Sequence, residues 1–131
     1  MKRILPVFLL LLLLLTGCGE TTSNASSEDG YQQISQEEAK EMMDTQDVII
    51  LDVREQDEYD SGHIPGAVLL PVGTIDDTTA AQGIPEKDST VLVYCRSGNR
   101  SKTSSAALAD LGYTNIYEFG GINTWPYDTE P

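Results

Sequence analysis

Two stretches of this chain, Val48 to Val53 (VIILDV) and Thr90 to Tyr94 (TVLVY), are apolar almost without a break. A strand with one wet face alternates apolar and polar residues. A continuous run of this length fits a strand covered on both faces, as in a parallel sheet sandwiched between helices. The segments around the two runs supply the other elements. Ser35-Gln36-Glu37-Glu38 reads as a capping box that opens a helix carrying Ala39, Met42 and Met43 on its core face. Ala67 to Leu70, entered through Ile64-Pro65-Gly66 and closed by Pro71, is a third strand candidate, and Asp76 to Gln82 a short helix. A helix from Ser101 to Leu111 ends at Gly112, a last strand covers Ile116 to Phe119, and Gly120-Gly121 opens a short turn through Trp125. Strands alternating with helices predict a single α/β domain, residues 31–131, built on a mostly parallel sheet.

The first 17 residues belong to none of this. Lys2 and Arg3 precede the apolar run Ile4 to Leu15, which is too short to span a bilayer and has the form of a signal-peptide core. It ends in Leu15-Thr16-Gly17-Cys18, which resembles a bacterial lipobox. Cleavage before Cys18 would leave that cysteine diacylated, holding the domain on the outer side of a bacterial membrane in the cell envelope. Residues 18–30 read as a flexible tether, and as a coil the Glu20 to Gly30 part spans roughly 18 Å.

Without residues 1–17 the chain keeps 6 basic against 21 acidic side chains, a net charge of −15. A surface this acidic speaks against nucleic acid and against adhesion to anionic lipid, so contact with the membrane is expected through the lipid on Cys18. Cys95 is the other cysteine, and with Cys18 acylated it has no partner for a disulfide. A lone thiol in an oxidising compartment is either buried and inert or kept for its reactivity.

The residues after Cys95 favour reactivity. Cys95 stands at the carboxyl end of the TVLVY strand, where α/β sheets place their reactive groups. Arg96, Ser97, Gly98, Asn99, Arg100 and Ser101 then join that strand to the next helix. Gly98 permits a tight bend and Asn99 tolerates one, so the loop can turn successive N–H groups inward as an anion-binding nest. A sulfur facing such a nest loses its proton more readily than a free thiol of pKa about 8.5. No histidine lies in the loop, so activation is expected from the amides and not from a side-chain base. Arg54, Arg96, Arg100 and Lys102 could surround the site as a cationic patch that concentrates small anions. In the competing arrangement Arg54 and Arg100 are spent in ion pairs with Asp52, Glu55 or other acidic neighbours.

Four segments, LDVRE (Leu51 to Glu55), GHIPGA (Gly62 to Ala67), CRSGNRS (Cys95 to Ser101) and GGINTW (Gly120 to Trp125), occur in the order and spacing of rhodanese signatures. Through them the region 31–125 resembles the rhodanese (sulfurtransferase) family. The resemblance implies a Cys95 nucleophile that takes a sulfane sulfur from an anionic donor and passes it to a thiol, cyanide or protein acceptor. It implies neither cofactor nor metal. The amides of Arg96 to Ser101 would cradle the persulfide, and Asp52 with Arg54 or Glu55 would brace the loop and pair with Arg100. His63 could be offered as a general base, but in the family pattern it belongs to a structural turn. Two other readings stand beside this one. One is a non-catalytic or carrier module that delivers sulfur to a partner. The other is a phosphatase or arsenate reductase, whose loop holds five residues between Cys and Arg where this chain has four.

Overall fold

The computed structural model describes residues 29–131, so the apolar leader, Cys18 and the tether up to residue 28 lie outside the described residues. Five strands, β1 (Gln32–Gln33), β2 (Ile49–Asp52), β3 (Val68–Leu69), β4 (Val91–Cys95) and β5 (Ile116–Gly121), form one sheet. Their order is β1-β5-β4-β2-β3 and every neighbouring pair is parallel. The chain is therefore an α/β fold with a parallel five-stranded sheet between helices.

The two apolar runs became the central strands. All five residues of β4 are buried, and burying each of Val91, Leu92 and Val93 stabilises the fold by roughly 1.5–3 kcal/mol. Alternate side chains go to opposite layers. Leu51, Val53, Val91, Val93 and Cys95 face one core, with Ala80 and Ile84 from α3 (Asp77–Gly83) and its end and Leu108 from α4 (Asn99–Asp110). Leu92, Tyr94 and Phe119 face the other, with Ala39 of α1 (Gln36–Thr45) and Tyr59 of α2 (Gln56–Ser61) against them. Ser35 caps α1, its Oγ accepting the Glu38 N–H at 3.0 Å, and Met42 and Met43 pack at the edge of the second core.

Two elements depart from the sequence expectation. Gln32 and Gln33 pair with Tyr117 and Glu118 as edge strand β1, held by backbone bonds with both side chains exposed. Helix α2, with sequence QDEYDS, has no apolar stripe and no fully buried residue. Beyond the single 3₁₀ turn at Ile122–Thr124 the tail forms no helix. Instead Glu130 makes a two-way backbone bridge with His63, at 2.8 Å each way.

Candidate active site

Parallel topology brings the carboxyl ends of β2, β4 and β5 to one edge, and the loop after Cys95 curls there into the first turn of α4. Gly98 makes the curl possible: its φ of +107° lies in the left-handed region that L side chains avoid. The bend directs the Gly98 N–H at Cys95 Sγ, 3.0 Å away. The sulfur is 1 % exposed and contacts Ser101 Oγ at 3.5 Å. Burial by itself pushes the thiol pKa up. Hydrogen bonding from the Ser101 hydroxyl and from the amides of Ser101, Gly98 and Ser97 outweighs it and leaves the pKa below that of a free cysteine. The loop thus surrounds one sulfur with donors suited to an anion.

The loop is braced on two sides, by Glu58, which the sequence did not single out, and by the GGINTW segment. On one side Arg100 grips Glu58 of α2 with two N–H···O bonds, at 2.7 and 2.9 Å. On the other, the Asn123 N–H donates to the Arg96 carbonyl at 3.1 Å, and Gly121 packs directly on the Arg96 backbone. Ser101 Oγ donates to Glu118 Oε1 at 2.7 Å.

Arg54 follows the ion-pair arrangement, and Asp52, Arg54 and Glu55 do not brace the loop. Arg54 is buried and bonds Asp52 through Nε and Nη2 at 2.7 to 3.1 Å, while Nη2 also donates to the Gly62 carbonyl at 2.7 Å. Burial disfavours the guanidinium charge, but the pairing with Asp52 outweighs it and raises the Arg54 pKa. Tyr94 completes this network, donating to Asp52 at 2.6 Å and accepting from the Ile64 N–H at 3.0 Å. These residues hold the Gly62–Ile64 turn against the sheet and do not pair with Arg100. Glu55 is exposed, and its backbone N–H donates to Glu58 Oε2 at 2.9 Å. The expected four-residue cationic patch is thereby reduced. Arg54 and Arg100 are neutralised by Asp52 and Glu58, while Arg96 and Lys102 are exposed and outside any ion pair among the described residues.

His63 is buried and stacked on Tyr59, with ring centroids 3.7 Å apart. Its Nδ1 lies 2.9 Å from the Tyr59 carbonyl and its Nε2 3.4 Å from Glu130 Oε1, so one nitrogen is engaged by α2 and the other by the C-terminal tail. Trp125 is half-buried against Phe119 and Tyr127.

The Glu58–Arg100 brace has a pH signature. The hydrogen bond from Arg100, opposed by burial and aided by the Glu55 amide, lowers the Glu58 pKa from 4.5 to about 2. A carboxylate with a depressed folded pKa adds stability that is complete above the unfolded value and is lost as pH falls through the folded one. The wild-type Tm is therefore expected to exceed that of Glu58→Gln at neutral pH. The gap should shrink between pH 4.5 and about 2 as Glu58 takes up a proton. A gap that stays constant across that window in thermal melts would show that the pair contributes nothing.

Residues 35–126 match the family model for the rhodanese-like domain. The chain is 35 % identical over 96 residues to the thiosulfate sulfurtransferase GlpE of Coxiella burnetii, covering 72 % of this chain and 87 % of that one. To the thiosulfate sulfurtransferase PspE of Escherichia coli it is 33 % identical over 72 residues, 55 % of this chain and 68 % of the other. Among solved structures, a rhodanese with anions from E. coli superposes with a TM-score of 0.59 at 28 % identity, covering 64 % of this chain and 98 % of that one. With Cys95 at the end of β4 on a parallel five-stranded sheet, the chain belongs to the rhodanese-like domain family and is a sulfurtransferase of that type.

Proposed function

We propose that Cys95 takes a sulfane sulfur from an anionic donor such as thiosulfate or polysulfide, carries it as a persulfide, and yields it to a thiol or cyanide. With thiosulfate, the thiolate attacks the outer sulfur and a Cys95–S bond forms. The bond to the sulfonate sulfur breaks, and its electron pair leaves with sulfite. Attack by cyanide on the outer persulfide sulfur then releases thiocyanate and restores the thiolate. The Gly98 amide 3.0 Å from the sulfur, in a loop with four residues between Cys95 and Arg100, is the observation that most supports this reading. Such a nest favours thiolate and persulfide alike. Exposed Arg96 at the loop offers a charge to the incoming donor. The test is the intact mass of the protein after exposure to thiosulfate. A gain of one sulfur atom that maps to Cys95 and disappears with cyanide supports the proposal. Hydrolysis of aryl phosphates with no sulfur gained overturns it in favour of phosphatase chemistry.

The same proposal includes the setting: a bacterial lipoprotein, acylated at Cys18 and working in the cell envelope. Cys18→Ser should leave the precursor uncleaved or release the protein from the membrane fraction. Processing and fractionation identical to wild type would sink the assignment.

A further inference from the structure

A buried thiol that ionises must send its proton somewhere, and the loop amides are all donors. The Ser101–Glu118 contact offers a destination. Ser101 Oγ lies 3.5 Å from Cys95 Sγ and 2.7 Å from Glu118 Oε1, and the Gly120 N–H donates to the same oxygen at 2.8 Å. Ser101 is fully buried and Glu118 is 3 % exposed. No Lys or Arg lies within ion-pair distance of Glu118 among the described residues. A hydroxyl has one proton to give. Ser101 has a weak alternative acceptor in the Gly120 carbonyl at 3.4 Å, and the carboxylate at 2.7 Å is the stronger one. With its proton on Glu118, Ser101 turns a lone pair toward the thiol, so the hydrogen bonds run in one direction from sulfur to carboxylate.

The geometry points to a proton relay in which Ser101 passes the Cys95 proton to Glu118, making Glu118 the residue that sets the ionisation of the nucleophile. The inference deepens the sulfur-transfer reading and rests on it. In the step, the Cys95 S–H bond breaks and an O–H bond forms on Ser101. The proton Ser101 held moves to Glu118 Oε1, and the negative charge passes from carboxylate to sulfur. Adding a charge to a dry cluster is costly, whereas relocating one already present is not. Afterwards Ser101 donates to the thiolate, and protonated Glu118 donates to Ser101. Glu118 also lines a pocket of about 400 Å³ on the side of the loop facing α1, together with Gln36, Ser97, Gly98, Lys102 and Thr124. Proton exchange with solvent can take place there. The charged groups around the cluster are Lys102 at that pocket, and Arg100 with its partner Glu58 across the loop.

The test reads thiolate directly and needs no sulfur donor: the pH dependence of iodoacetamide alkylation at Cys95 in the full chain, followed by peptide mass. Wild type should show a pH-independent shelf of reactivity below its main wave, because the singly charged cluster always holds some thiolate. Glu118→Gln keeps an oxygen for Ser101 and Gly120 but accepts no proton. It should lose the shelf and react on the order of tenfold more slowly than wild type on the acid side. Ser101→Ala, which leaves the Glu118 charge in place, should lose it too. If Glu118 is only a fixed charge, Glu118→Gln gives a single wave displaced to lower pH, since removing a nearby anion favours thiolate. That outcome, or a shelf that survives in Ser101→Ala, overturns the relay. Persulfide formation with these outcomes would leave the sulfur-transfer reading standing. The expected profiles without any persulfide would do the reverse.

Discussion

Cys95→Ser is expected to lower sulfur transfer by more than about 1,000-fold while leaving the fold intact. A serine hydroxyl has a pKa far above neutral, so neither the Gly98 amide nor the Ser101 hydroxyl can hold it as an anion. It is also a poor nucleophile toward a sulfane sulfur. The replacement is mild for stability, because a hydroxyl at that position can accept from Gly98 and donate to Ser101, which avoids an unsatisfied buried group. Steady-state assay with thiosulfate and cyanide, beside a thermal melt, separates the two effects. Transfer that persists within tenfold of wild type, with a matching melt, would remove Cys95 from the chemistry.

Gly121→Ala should act through structure and do so strongly. A Cβ on Gly121 would land on the Arg96 carbonyl, and at 2.5 Å from the Ser97 nitrogen. Both are backbone atoms of the loop that holds the sulfur, so no side chain can swing aside. Either β5 and the loop part, or the Asn123 bond to the Arg96 carbonyl breaks. The expected loss is more than about 3 kcal/mol in urea denaturation, with activity falling in whatever protein remains folded. A loss under about 1 kcal/mol with normal turnover would mean the loop yields freely, contrary to a rigid nest.

The fold was legible wherever burial dictated residue type. VIILDV and TVLVY declared themselves because both faces of β2 and β4 are covered, and the Ser35 cap marked the start of α1. Edge strand β1 gave no such signal, since two exposed glutamines look like tether and only their backbone bonds to β5 make a strand. Helix α2 escaped for a related reason: its acidic face meets water, and Tyr59 alone ties it to a core.

The site divided the same way. Cys95 and its loop were readable because their sequence is local and continuous. The two acidic residues that hold the loop, Glu58 and Glu118, were not. Arg100 finds Glu58 across 42 positions and Ser101 finds Glu118 across 17. In a chain with 21 acidic side chains, nothing in the sequence distinguishes those two. Asp52 and Arg54, two positions apart and of opposite charge, invited a role at the loop. In the fold they bond each other and the Gly62–Ile64 turn.

The direction of the strands also decides which way the sulfur looks. Helix α4 runs back along the sheet, so its first turn carries the reactive loop and its last turn lies at the opposite edge. Gly30 approaches Ala109 in that last turn, and β1 starts just beyond. With 12 residues in α4, the place where the chain joins the domain is about 18 Å along the helix axis from the nucleophile. The first described residues therefore sit at the rear of the domain. The entry of the chain at Gly30 thus leaves the front, where Cys95 lies, unencumbered.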